Sequence, residues 1–266
     1  MGATTTLHGI EVFTDGEGDD AIVMIHGWPD THRLWDGTVA ALQDRFRCVR
    51  FTLPGYDIAR PPRPTSVAAM VELIRRIVEE GGRGRPVTLL LHDWGCVFGY
   101  QFAMAHPALV SRLIGIDIGD APTREFKRGL TAKAQAMIAG YQLWLVLAWR
   151  LGGTLGDRMT RSMVRWLRCP ADPARVGAQM NYPYAMQWLG TAGGMRGLAP
   201  LVPRCPMLFF HGTRKPFSFH TPAWAQALAA RPGCRVQPMR TGHWVMLDDP
   251  DGFNRALRDW LLPGTR

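Results

Sequence analysis

Cysteine is scarce in this chain and carries no pattern. Cys48, Cys96, Cys169, Cys205 and Cys234 are odd in number, irregularly spaced and without a CxxC pair. They argue against a disulfide framework and against a zinc site, and read as reduced packing residues. Long apolar runs are also missing. No uncharged stretch reaches the roughly 18 residues needed to span a bilayer, and the opening MGATTTLHGIEVF lacks a basic segment followed by an apolar core. Stable membrane insertion is therefore not expected, and a soluble cytoplasmic protein is. Acidic residues are outnumbered, 22 against 31 basic ones for a formal charge of +9. The arginines are scattered and accompany no nucleic-acid-binding motif, so they read as a solvated surface, with no nucleic-acid partner expected.

What is present is a core-forming pattern. At 266 residues and 47% hydrophobic, the chain can bury one large domain, or one domain carrying an insertion. Apolar, β-rich runs at 21–25, 48–53, 87–91, 113–118, 207–210 and 235–239 alternate with helix-compatible segments at 35–45, 67–80, 95–105, 222–230 and 250–262. Near-continuous apolar strands separated by helices predict an α/β fold, with a mostly parallel central sheet and helices on both faces. One interval breaks the alternation. Residues 122–199 hold no convincing strand but collect Trp, Tyr, Met and Arg, which predicts a helical insertion between an N-terminal core part (1–121) and a C-terminal one (200–266).

The stretch LLLHDWGCVFGY, residues 89–100, runs from a strand through His-Asp-Trp-Gly directly into a helix. That is the pattern of a nucleophile elbow, in which a strained turn presents one side chain above the carboxyl ends of the strands. The side chain here is Asp93. With a reference pKa of about 3.9 it is anionic at neutral pH and suited to displacing a leaving group from saturated carbon. The product would be an Asp93 ester, which water must then cleave with the help of a general base and an oxyanion hole. HGWP supplies His26 and the Trp28 amide after an earlier strand, and the Trp94 amide follows the nucleophile. His243, in TGHW near the end of the chain, is the candidate base.

With HGWP, HDWG and GHW in this order, the chain resembles the epoxide hydrolase and haloalkane dehalogenase branch of the α/β-hydrolase family over nearly its whole length. The resemblance implies that 122–199 is a cap and that no metal or organic cofactor is used. Trp28 in the HGxP motif is more like the epoxide hydrolases. Those enzymes protonate the departing epoxide oxygen with two cap tyrosines. Tyr141 matches the first, and spacing favours Tyr184 over Tyr182 for the second. The triad acid is displaced, because Lys215 stands where most epoxide hydrolases carry an aspartate. Asp120 is the expected replacement, with Asp117 less favoured because strand alternation would turn it towards a helix layer. Leu91 is a second departure, at a position where the family more often has glycine. The expected activity is hydrolysis of a small hydrophobic epoxide to a vicinal diol, with water as co-substrate. A haloalkane dehalogenase using the same Asp and His is the alternative, followed by a non-catalytic ligand-binding homologue; assembly into a homo-oligomer stays open.

Overall fold

The computed structural model describes residues 2–121 and 123–263. Pro122, where the expected insertion begins, lies outside them, as do Met1 and residues 264–266. The elements run β1 (Ala3–Leu7), β2 (Ile10–Asp15), β3 (Ala21–Ile25), α1 (Asp36–Leu42), β4 (Arg47–Phe51), α2 (Val67–Gly82), β5 (Val87–His92), α3 (Trp94–Ala105) and β6 (Val110–Ile116). Four helices follow, α4 (Arg124–Gly129), α5 (Ala132–Leu151), α6 (Gly153–Trp166) and α7 (Tyr182–Leu189). The chain then returns to the sheet with β7 (Met207–Gly212), α8 (Pro222–Ala229), β8 (Arg235–Met239), α9 (Val245–Asp248) and α10 (Pro250–Leu261).

The eight strands form one sheet in the order β1-β2-β4-β3-β5-β6-β7-β8. Pairing is antiparallel at β1–β2 and β2–β4 and parallel from β4 through β8. Strand alternation divides the core into two layers. Val23, Ile25, Leu89 and Leu91 pack with α2 and α3 on one face, while Ile22, Met24 and Leu90 pack with α1 and α10 on the other. Truncating a fully buried residue such as Leu90 to alanine should cost about 2–5 kcal/mol. Helix α2 starts at Ser66, whose side chain accepts from Ala69 N, buries Met70, Leu73, Ile74, Ile77 and Val78, and stops where Arg83 turns left-handed at φ 50°.

Register matters more for the site. Ile25 pairs with Leu91 and His92 with Ile116, so β3, β5 and β6 end level and the residues after them emerge together. The chain builds outward from β3 to β4 and then returns to place β5 on the other side, and a crevice opens at such a reversal.

The β1–β2 hairpin is absent from the sequence expectations. Four of the five residues of β1 are exposed, and β2 buries Ile10 and Val12 but not Glu11, so neither makes an apolar run. Strand β6 ends at Ile116, two residues before the expected limit. Between β6 and β7 the described residues contain helices and no strand, and Leu145, Val146, Val164 and Met180 join the same core layer as α2 and α3. Leu143, Leu147 and Leu151, a stripe along α5 of the kind that usually packs inward, face outward instead. Among the described residues no helix is long and apolar enough to cross a membrane.

Candidate active site

Asp93 sits alone between β5 and α3, at φ 52° and ψ −122°. A non-glycine residue in that region is strained by about 1–3 kcal/mol, which the surrounding sheet and helix must impose. The Leu91 departure is absorbed nearby. A Cβ added to Gly99 of α3 would lie 2.5 Å from Leu91 Cδ2, so the helix gives up the volume that Leu91 occupies.

The two oxygens of Asp93 have different surroundings. Oδ1 accepts from Trp28 N at 2.6 Å. A Cβ on Gly27 would come within 2.3 Å of this oxygen and 2.4 Å of Trp94 N, so the loop after β3 can close on the elbow only with glycine there. Oδ2 lies 3.5 Å from His243 Nε2, with both side chains only about 15% exposed. The Trp28 indole is already engaged, donating to Asn181 Oδ1 at 2.8 Å. Asn181 in turn donates to Thr160 Oγ1 and Leu145 O, tying the loop after β3 to α5 and α6. His26 is held at both ring nitrogens. It is fully buried, Leu53 N donates to its Nε2 and its Nδ1 bonds Gly27 O, each at 2.9 Å, and burial pushes its pKa down to about 3.

The acid that meets His243 is Asp117, and this corrects the expectation for Asp120. His243 Nδ1 lies 2.5 Å from Asp117 Oδ2. Asp117 follows the end of β6, so strand alternation no longer governs it, and its left-handed backbone at φ 68° lets it depart from that pattern. Its other oxygen accepts from Gly212 N at 3.1 Å and from the ammonium of Lys215. Asp120 faces a different neighbour. Both its oxygens accept from Thr221, one from N and one from Oγ1 at 2.7 Å each, and Thr221 caps α8.

Electrostatics follow from this arrangement. Burial alone would lower the His243 pKa, but hydrogen bonds to Asp117 and Asp93 carry it up to about 9. Burial opposes ionisation of Asp93 and Asp117 as well, yet their bonds to His243 hold both below the usual carboxylate range. Burial lowers Lys215, offset in part by Asp117, and its ammonium lies 5.4 Å from the centre of the Phe219 ring. Nearby, His92 bonds the His243 carbonyl at 3.1 Å through Nε2, and Asp30 accepts from Trp244 Nε1 at 2.8 Å. Burial raises Asp30 to about 7.

A cavity of about 650 Å³ opens onto Asp93 and Trp94. Val97, Ile118, Phe126, Leu130, Ile138 and Phe219 give it an apolar wall, and Tyr141 and Tyr184 line it as well. Their rings meet edge to face at 6.2 Å, and Tyr184 also stands edge-on to Trp94 at 5.2 Å. Gln142 Nε2 donates to the Tyr141 hydroxyl at 3.2 Å, leaving that O–H proton directed elsewhere. Gln142 is itself held by Gln187 and Trp188 of α7, each at 2.9 Å. Tyr182 is not among the cavity's lining residues. Its ring packs edge-on to Tyr56 at 6.0 Å, and its hydroxyl is buried without a partner.

Three contributors escaped sequence reasoning: Asn181, Gln142 and the pairing of Lys215 with Asp117. Gln142 gave one signal, an amide in the apolar run GYQLWLVLAW. Asn181 gave none.

The sequence profile of the Alpha/beta hydrolase family matches residues 22–256, and Asp93, Asp117 and His243 all fall within that span. The chain belongs to the alpha/beta hydrolase family. This alpha/beta hydrolase is 25% identical over 290 residues to Epoxide hydrolase 2 of Caenorhabditis elegans, a match covering 96% of the chain and 77% of that relative. It is 32% identical over 120 residues to the Probable oxidoreductase EphD of Mycobacterium tuberculosis, covering 44% of the chain but only 20% of that longer relative. Among solved structures, a Bacillus megaterium epoxide hydrolase in complex with an inhibitor superposes with a TM-score of 0.73 at 20% identity, covering 97% of this chain and 99% of the other.

Proposed function

We propose that this alpha/beta hydrolase is an epoxide hydrolase that opens a hydrophobic epoxide through an Asp93 ester. The observation that carries the reading is the division of labour at one carboxylate. Oδ1 is held by the Trp28 amide while Oδ2 faces His243, and Asp93 lines the cavity. Oδ2 attacks the less hindered epoxide carbon, and Oδ1 becomes the ester carbonyl, already seated where the Trp28 and Trp94 amides stabilise the charge that develops during hydrolysis. Tyr141 and Tyr184, on the helical segment that acts as the cap, donate to the epoxide oxygen. His243, oriented by Asp117, then takes a proton from the attacking water, and the diol leaves.

The state of His243 suits this order of events. Two carboxylates favour its protonated form in the resting protein, and esterification of Asp93 removes the charge of one. The imidazole becomes a competent base only once there is an ester to cleave. Proton balance closes over the cycle. The imidazolium proton replaces the one that a tyrosine gives to the epoxide oxygen, and water restores it in the second step.

Halide release is favoured less by the same residues. A halide site needs N–H donors free to point at the leaving group, and the Trp28 indole N–H is committed to Asn181. The name of the Caenorhabditis elegans relative and the shape shared with the Bacillus megaterium enzyme are in keeping with the epoxide reading. Purified protein assayed in parallel for diol formation and halide release decides between them. Diol without halide is expected; halide from a haloalkane, with no diol from any apolar epoxide, would reverse the assignment.

A further inference from the structure

We propose that Lys215 is a positioning residue for ester hydrolysis, whose ammonium fixes the Asp117 carboxylate and offsets its charge so that His243 can release its proton once Asp93 is esterified. The inference deepens the epoxide hydrolase reading and rests on it. Three observations carry it. The Lys215 side chain is only 9% exposed and that of Asp117 is fully buried, so their contact is little screened by solvent. Lys215 and His243 bind opposite oxygens of the same carboxylate, so the charge of one acts on the proton of the other at close range. Lys215 also rises from the loop after β7, the place where the resemblance expects the triad acid. The acid has moved to the end of β6, and a cation has taken the vacated position against it.

That cation matters because of the other charges around His243. Around His243 stand Asp93 and Asp117, with Asp30 reaching it through Trp244, the His92 ring tilted against it at 4.5 Å, and the Phe219 and Trp244 rings closing the other sides. His211 and His220 lie on the Lys215 side, where burial lowers the pKa of both, His220 to about 4. Without Lys215, two buried carboxylates would face one imidazole with no other cation among the described residues paired to either, and the imidazolium would persist. Esterification cancels Asp93, and Lys215 offsets Asp117. The remaining field then lets the imidazole take a proton from water and stay as the resting imidazolium, while the carboxylic acid left on Asp93 when the tetrahedral intermediate collapses gives its proton to the departing alkoxide. An ordinary structural salt bridge would hold Asp117 in place without setting the pH at which His243 works.

The test separates alkylation from hydrolysis of the ester in single turnovers of the whole 266-residue chain between pH 6 and 10, comparing wild type with Lys215→Met and Lys215→Arg. For Lys215→Met the acid limb of the hydrolysis step should move up by about one pH unit or more, which is roughly tenfold slower hydrolysis at pH 7, with the two proteins converging at high pH. Lys215→Arg, which keeps the charge, should follow wild type. A Met variant superimposable on wild type, or Met and Arg variants slowed equally at every pH, would overturn the proposal. A titration of the His243 ring by NMR in the resting proteins needs no substrate and should shift upward in the Met variant alone. If Lys215→Met does not fold, Lys215→Gln takes its place in both measurements. Failure of the functional reading is distinguishable: no Asp93 ester in wild type would sink that reading, whereas an unmoved His243 titration would sink the role of Lys215.

Discussion

Replacing Asp117 by asparagine keeps the shape of the side chain and changes what it offers to His243. In the wild type, Oδ2 accepts the Nδ1–H at 2.5 Å, which leaves Nε2 unprotonated on the Asp93 side in the neutral ring. In Asp117→Asn the single remaining oxygen is claimed by the Lys215 ammonium and Gly212 N, because both are donors only. The amide NH₂ must then face Nδ1, which has to accept. The ring is driven to the tautomer with its proton on Nε2, which cannot act as a base towards water. Loss of tautomer control in a triad of this kind costs roughly a thousand- to ten-thousandfold. The loss should fall on ester hydrolysis, while alkylation by Asp93, whose charge does not depend on the tautomer, should change by less than about tenfold. Rapid quench of a single turnover followed by intact-protein mass spectrometry should show an alkyl-enzyme that persists. If Asp117→Asn hydrolyses its ester at the wild-type rate, the acid assignment is wrong.

Asp120→Ala should leave both chemical steps intact but remove two hydrogen bonds that fix the start of α8, costing about 2 kcal/mol and lowering Tm by about 5 °C; a thermal melt beside the kinetic assay checks it, and lost activity with unchanged stability would contradict the assignment. Tyr141→Phe and Tyr184→Phe should each slow epoxide opening at least about tenfold, whereas Tyr182→Phe, which deletes an unpartnered buried hydroxyl, should keep the rate and not reduce stability. Unchanged alkylation in Tyr184→Phe would remove that residue from the mechanism. Asp30 has a folded pKa of about 7, above its unfolded value, so the stability it contributes is complete below about pH 4 and lost as pH rises through 7. Asp30→Asn keeps an acceptor for Trp244 and cannot ionise, so its Tm should gain on wild type between pH 5 and 8; parallel curves would show that Asp30 does not titrate there.

Much of this was legible in the chain because it depended on local chemistry. Apolar runs predict buried parallel strands, and the strand-Asp-Trp-Gly-helix pattern brings its own geometry, so β3 to β8 and the position of Asp93 followed from short windows. The β1–β2 hairpin did not, because its strands lie at the sheet edge, where water replaces the apolar neighbour that makes a strand visible. The choice between Asp117 and Asp120 turned on where β6 stops and on one left-handed residue, a matter of two positions that periodicity does not resolve. Lys215 stands out in the sequence as a missing acid, but its partner is 98 residues away in the chain and only the fold joins them. Asn181 and Gln142 act through hydrogen bonds to Trp28 and Tyr141, and such second contacts leave no mark on composition or spacing.

The central claim is that Asp93 itself is alkylated, and isotope transfer tests it without any assumption about the acid, the base or the cap. Excess enzyme is allowed one turnover of an epoxide in ¹⁸O-labelled water, and both the diol and the proteolytic peptide containing Asp93 are analysed by mass spectrometry. Water that cleaves the ester attacks Cγ, so the label should enter the Asp93 carboxylate while the first diol carries none. Label in the diol with an unlabelled Asp93 peptide would mean that water attacks the epoxide directly, and would contradict the account.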